Sequence, residues 1–273
     1  MSYRSILVNL DIDGPVAPIV ELATELAARS SAKLIGFCAA DVPLPMVGPE
    51  GGDLSAQVWQ QLKADVERRF KDLEFDFKGL VPTSLEVEWR SSLSYPTQAL
   101  ARITRLADLV VTGAKRGAAT GDSYRAVDPG SVVLQAGRPL LVVATDAEHA
   151  LARTIVIAWK DTREARRAVS DAVPLLQAAS DVVVVTVDPE PDGWIRDSVA
   201  DVVAFLARHQ IKARSEIISA RDERRALTDF AVSCHADLVV SGAYGHSRLR
   251  EWVFGGVTRS LLDAGNLHRF MSS

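Results

Sequence analysis

The feature that most constrains this chain is a phrase written twice. Ala107-Asp108-Leu109-Val110-Val111-Thr112-Gly113-Ala114 recurs as Ala236-Asp237-Leu238-Val239-Val240-Ser241-Gly242-Ala243. Each copy is a short β-branched run that breaks into a glycine turn, as a buried strand does at the end of a sheet. At 273 residues the chain exceeds the usual size of one domain, and each half has the length of one. A repeat on this scale means that one architecture has been built twice.

The halves repeat the same order of elements. In the first, strands over 5–10, 33–39, 85–89, 108–112 and 139–143 alternate with helices over 16–29, 54–75, 97–106 and 131–136. Pro15 stands where the first helix can open. The helix over 54–75 carries Val58, Leu62, Val66 and Phe70 at helical spacing. Residues 41–52 and 113–130 read as irregular loops. The polar stretch 145–149 has no periodicity, so the boundary is placed there, giving domains 1–147 and 148–273. In the second half, strands over 154–159, 181–187, 212–217, 238–241 and 267–271 alternate with helices over 162–178, 193–208, 222–233 and beyond Gly256. The last strand is weak because it is poor in β-branched residues. The alternation predicts an α/β chain of two tandem, doubly wound, five-stranded, mostly parallel sheets of Rossmann-like type. Ligands of such sheets lie beyond the carboxyl ends of the strands, where strand order reverses. That rule brings Asp11, and Lys160 with Asp161, beside the two glycine turns.

The second turn continues as Gly242-Ala243-Tyr244-Gly245, and nine residues later Gly255-Gly256 opens an apolar helix. Strand, glycine loop and helix N-terminus together aim backbone N–H groups at one anion. The bare glycines leave no Cβ to block it. A loop that merely turns the chain is the competing reading. The spacing matches neither a P-loop nor the dinucleotide fingerprint. In the first half the loop is stretched: Gly113 to Gly117 carries Lys115 and Arg116, and twelve residues separate Gly117 from Gly130-Ser131. Ser131 also reads as the cap of the following helix.

A net charge of −4 argues against a nucleic-acid partner, and no apolar run is long enough for a membrane span. The chain enters its first strand almost at once, leaving no room for a signal peptide, so a cytoplasmic location is expected. Cys38 and Cys234 are far apart and read as buried free thiols. His149, His209, His235, His246 and His268 make no metal-ligand spacing, and Cys234 and His235 are expected to point apart on a helix. Asp11, Asp128 and Asp161 read as turn residues, with a metal held through nucleotide phosphates as the other reading. No catalytic constellation is evident.

On Gly242-Ala243-Tyr244-Gly245, the nine residues that follow and Gly255, the chain resembles the tandem universal stress proteins over both halves. Ile157-Ala158-Trp159, followed by a helix with Glu164-Ala165 and Arg167-Ala168, carries the same resemblance. It implies an adenine nucleotide alpha hydrolase-like fold and, as cofactor, ATP with Mg only as the nucleotide's companion. Gly242, Ala243, Gly245, His246, Gly255, Gly256 and Val257 would then surround the phosphates, with Val187 at the adenine. Lys160 and Asp161 would lie near the adenosine, and in the first half Asp11, Gly130 and Ser131 take the corresponding places. Two positions depart from the family pattern. Gly256 replaces a hydroxyl residue, a loss of about 1.5–3 kcal/mol for a hydrogen bond to a charged group. Lys160 replaces an aspartate, displaced here to Asp161. The implied function is a cytoplasmic stress-response regulator that binds adenine nucleotide through the second half. A tandem scaffold for protein contacts or a small ligand, and a slow ATPase, stay open. Family domains pair through their last strands, so a pseudo-dimer with 140–143 facing Phe270-Met271 is implied, with a homodimer as a further option.

Overall fold

The computed structural model describes residues 2–43, 52–114, 122–144, 152–243 and 267–273. Its contacts divide the chain into two compact units, Arg4–Ala136 and Gly137–Ser273, the second including Met1–Tyr3.

In the first unit β1 (Ser5–Asn9), β2 (Lys33–Ala40), β3 (Val87–Leu93) and β4 (Leu109–Gly113) form a parallel sheet in the order β3-β2-β1-β4. The central strands are sealed on both faces, with Ile6, Leu7, Val8, Leu109, Val110 and Val111 fully buried. This is why they read as unbroken apolar runs rather than alternating ones. The helices are α1 (Ala17–Ser30), α2 (Gly52–Leu80), α3 (Pro96–Ile103) and α4 (Pro129–Ala136), with a 3-10 turn over Thr104–Leu106. Pro18, not Pro15, lies in the first turn of α1. That helix buries Ile19, Val20, Leu22, Ala23, Leu26 and Ala27, and ends where Ser31 turns left-handed (φ 49°). The expected stripe of α2 is buried only from Val66 and Phe70 onward; Val58 and Leu62 are exposed. Gly36 of β2 is forced by packing, because a Cβ there would lie 2.5 Å from the Trp89 ring and 2.8 Å from Phe77.

The second unit holds β5 (Leu140–Val143), β6 (Thr154–Ala158), β7 (Asp181–Asp188), β8 (Ala213–Ser219), β9 (Leu238–Gly242) and β10 (His268–Ser272) in the order β5-β10-β9-β6-β7-β8. All neighbours are parallel except β5 and β10, which pair antiparallel with Phe270 opposite Leu141 and Met271 opposite Leu140. The last strand is therefore not a frayed edge: it lies between β5 and β9 and is almost wholly buried. Phe270, with no exposure, supplies apolar area that β-branched residues would otherwise give. The pairing draws β5 into this unit, while the boundary expected at 147/148 lies outside the described residues.

Helices α5 (Arg163–Leu176), α6 (Gly193–Arg208) and α7 (Glu223–Ser233) each start on a side-chain cap. Thr162, Asp192 and Asp222 accept the N–H of Ala165, Ile195 and Arg225 respectively. Cys234 and His235 follow α7 rather than lying within it; His235 is left-handed at φ 51°. No helix among the described residues is long and apolar enough to cross a membrane.

The repeated aspartate has the same task in both halves. Asp108 accepts the backbone N–H of Arg4 at 2.8 Å and of Ser5 at 3.1 Å. Asp237 accepts those of Arg153 and Thr154 at 2.7 and 2.8 Å. Each carboxylate thus ties the start of one central strand to the start of its neighbour and fixes their register.

Candidate functional site

In the second unit strand order reverses at β6, which pairs with β7 on one side and β9 on the other. The chain leaves β6 toward α5 and β7, so the switch point, where ligands of such sheets lie, falls beyond the carboxyl ends of β6 and β9. Trp159 extends β6 by one step, donating its N–H to Val185 at 2.8 Å while its carbonyl accepts the Thr186 hydroxyl. Opposite, Gly242 ends β9. A Cβ on Gly242 would lie 2.6 Å from the Ala165 nitrogen and 2.7 Å from the Glu164 carbonyl carbon. The bare glycine therefore lets the first turn of α5 rest directly on the end of β9. Glu164 sits in that turn and is held below the usual carboxylate range, chiefly by its own backbone N–H. An anion is thus already stabilised at this helix start.

Lys160 and Asp161 follow on the rim. The Lys160 ammonium lies 3.1 and 3.3 Å from the two carboxylate oxygens of Glu223 on α7. Asp161 pairs with Arg166 at 2.8 Å. Val187 is half-buried near the end of β7, in register with Ile218. Ala243 is buried and donates its N–H to the Ser272 carbonyl at 2.7 Å. The structure thus brings Lys160, Asp161, Gly242 and Ala243 to the ends of β6 and β9, with Val187 at the end of the adjacent β7. Gly245, His246, Gly255, Gly256 and Val257 lie outside the described residues, as do Lys115, Arg116 and Gly117.

The corresponding crevice of the first unit, beyond β1 and β4, is occupied by the chain itself. The Asp11 carboxylate accepts the N–H of Val127 at 3.0 Å and the Asn9 amide at 3.1 Å. Ala126 and Val127 are buried, and Arg125 clasps Asp13 with both guanidinium arms, one at 2.9 Å. Burial pushes Asp11 up to about 6 in spite of its two donors. Gly130 is buried in α4. Ser131 is not the helix cap, because α4 begins at Pro129 and the Ser131 hydroxyl donates to the Asp128 carboxylate at 2.6 Å. Any ligand reaching Asp11 would compete with residues 125–127.

Asp11, Asp128 and Asp161 are each engaged by protein groups, and among the described residues no three His, Cys, Asp or Glu side chains converge as a metal site. Both thiols are free; Cys38 is buried, which pushes its pKa up, whereas Cys234 is only partly buried.

The sequence pattern also held a signal that the glycine motifs overshadowed. A cleft of about 810 Å³ between α5 and α6 is lined by Trp159, Trp194, Asp197, Asp201 and Phe205, among others. On α6 these residues stand at helical intervals from Trp194 to Phe205, mixing aromatic and acidic side chains on one face. Such a stripe is not what a simple core-facing helix presents.

No family model and no curated sequence matches the chain. Solved structures do. The chain is similar to a universal stress protein from Archaeoglobus fulgidus DSM 4304, with a TM-score of 0.66 and 11% identity over 98% of this chain and 96% of that one. It is similar to a functionally unknown protein from Pseudomonas aeruginosa PAO1, with a TM-score of 0.59 and 14% identity over 98% and 92%. A third, from Pseudomonas aeruginosa UCBPP-PA14 and provisionally assigned to the universal stress proteins, has a TM-score of 0.56 and 16% identity over 98% and 92%.

Proposed function

On a chain that has the fold of the universal stress proteins over 98% of its length, we propose a cytoplasmic stress-response regulator that binds an adenine nucleotide at the ends of β6 and β9. The observation that carries this reading is Gly242. Its missing Cβ lets the first turn of α5 rest on the end of β9, which sets a helix N-terminus beside the start of the glycine loop. Lys160 adds a cation beside them. Its pair with Glu223 is about half exposed on both sides, so it contributes less than about 1 kcal/mol and can be exchanged for a phosphate. The second half is favoured over the first because Asp11 already holds Val127.

In this reading Val187 lies toward the adenine, and residues 242–257 wrap the phosphates, with Mg arriving on the nucleotide. Nucleotide occupancy changes a surface rather than driving turnover, since the Asp161 carboxylate on the rim is tied to Arg166. We keep 1–147 and 148–273 as the duplicated stretches of sequence, and the antiparallel β5–β10 pair supports the last-strand pairing that the family resemblance implies. One observation favours a second reading, a tandem scaffold without nucleotide: a lysine, Lys160, stands in place of the family's aspartate and pairs with Glu223.

Calorimetry of the full chain with Mg-ATP separates the two. Binding is expected in the wild type, several-fold weaker in Lys160→Ala and absent in Gly245→Val, which fills the cradle. No heat at millimolar Mg-ATP, with no adenine absorbance in natively purified protein, would leave the scaffold. ADP release that survives Gly245→Val would mark a contaminating ATPase.

A further inference from the structure

The cleft between α5 and α6 lies beside the nucleotide crevice and shares Trp159, Asp161 and Arg166 with the residues described there. Its floor is Trp159, nearly buried and fixed by an indole N–H donated to Ser198 at 2.9 Å. Its outer wall is the α6 face. Trp194 stands at one end, 72% exposed, and Phe205 at the other. These two are eleven residues apart on one helix, so the groove runs roughly 16 Å along the axis. Between them lie Asp197 and Asp201, one turn apart, with side chains roughly 6 Å from one another. Asp161 and Arg166 also line the cleft but neutralise each other. Among the described residues Asp197 and Asp201 have no ion pair, so the groove keeps two uncompensated negative charges.

A wide-open indole beside two unpaired carboxylates is a poor arrangement for a bare surface and a good one for a particular kind of guest. The aromatic walls accept methylene chains on their faces and attract cations through the ring quadrupole. The carboxylates demand positive charge at a spacing of one helical turn, which is about the separation of ammonium groups joined by four methylenes. The volume lies in the range of small-molecule sites. An anionic or purely apolar guest would leave both aspartates opposed or unsatisfied.

We propose that this groove binds a linear aliphatic polyamine, its ammonium groups on Asp197 and Asp201 and its methylenes on Trp194, Trp159 and Phe205. The proposal stands independently of nucleotide binding.

The test is calorimetry of the full chain with spermidine as probe, at low ionic strength. Binding is expected in the wild type, about tenfold weaker in the double variant Asp197→Asn, Asp201→Asn and several-fold weaker in Trp194→Ala, with n-butylamine binding at least tenfold less tightly than spermidine. All three positions are exposed, and an unchanged circular dichroism spectrum establishes that the variants fold. Absence of heat with wild-type protein at millimolar spermidine overturns the proposal. So does equal affinity in the double variant, which would place the polyamine elsewhere on an acidic chain, and so does equal affinity for n-butylamine.

Discussion

Replacing Asp11 by Asn should remove a pH dependence from the stability of the first unit. Asp11 is 9% exposed, and burial outweighs the donors from Val127 and Asn9, so its pKa rises from 3.8 to about 6. The folded state therefore binds more protons than the unfolded state between those two values. Stability from this group is fully present below about pH 4 and is lost as pH rises through about 6. A shift of about two units at 1.36 kcal/mol each gives about 3 kcal/mol, as an order of magnitude. The amide oxygen of Asn can accept both existing hydrogen bonds and does not titrate. Its extra NH₂ is a new buried donor, which costs about 1–3 kcal/mol if it finds no acceptor. Absolute stability near pH 8 should thus change little, or rise slightly. The informative quantity is the difference between the two proteins, which should move by about 3 kcal/mol in favour of Asp11→Asn between about pH 4 and about pH 8. Urea denaturation of both proteins across that range measures it, and the pH dependence of Glu164, common to both, cancels. Parallel curves would show that Asp11 is ionised in a solvated site and that residues 125–127 do not seal it.

Other outcomes follow from named contacts. Asp108→Ala and Asp237→Ala each leave two strand-end N–H groups without their carboxylate, and each should lower stability by about 1–3 kcal/mol in denaturant titrations; a null effect at either would remove the register role of the repeated aspartate. Gly242→Ala drives a Cβ into the backbone of Glu164 and Ala165 and should destabilise the second unit by about 1–3 kcal/mol, with no flexible side chain to give way. Arg125→Ala removes a partly exposed pair and should cost less than about 1 kcal/mol globally. Hydrogen exchange at the Val127 amide should nevertheless quicken, because the clasp on Asp13 no longer holds that segment against Asp11.

The glycine that the sequence singles out for a phosphate cradle has a packing duty in the structure. Nothing local distinguishes the two, because Gly242 reads identically whether its vacant Cβ site faces a ligand or the first turn of α5. Lys160 is similar: Asp161 stands next to it in sequence, yet its partner is Glu223, sixty-three residues on. Ser131 precedes an apolar turn as a cap would, yet Asp128 takes its hydroxyl. The α6 stripe was written in the chain at helical spacing, but it acquires meaning only once α5 and Trp159 form the opposite wall.

What the residues determined unaided was the duplicated order of strands and helices, the buried central strands and the places where chain direction changes. Those depend on side-chain period, backbone propensity and glycine freedom, which act over a few residues. Only the tertiary structure decided that β10 lies between β5 and β9, that Val127 closes over Asp11, and that the aromatic and acidic face of α6 meets α5 and Trp159 around a groove. Each of these joins groups distant along the chain, and the free energy of such a contact depends on which crossover brings them within hydrogen-bonding or packing distance, a choice that no local pattern encodes.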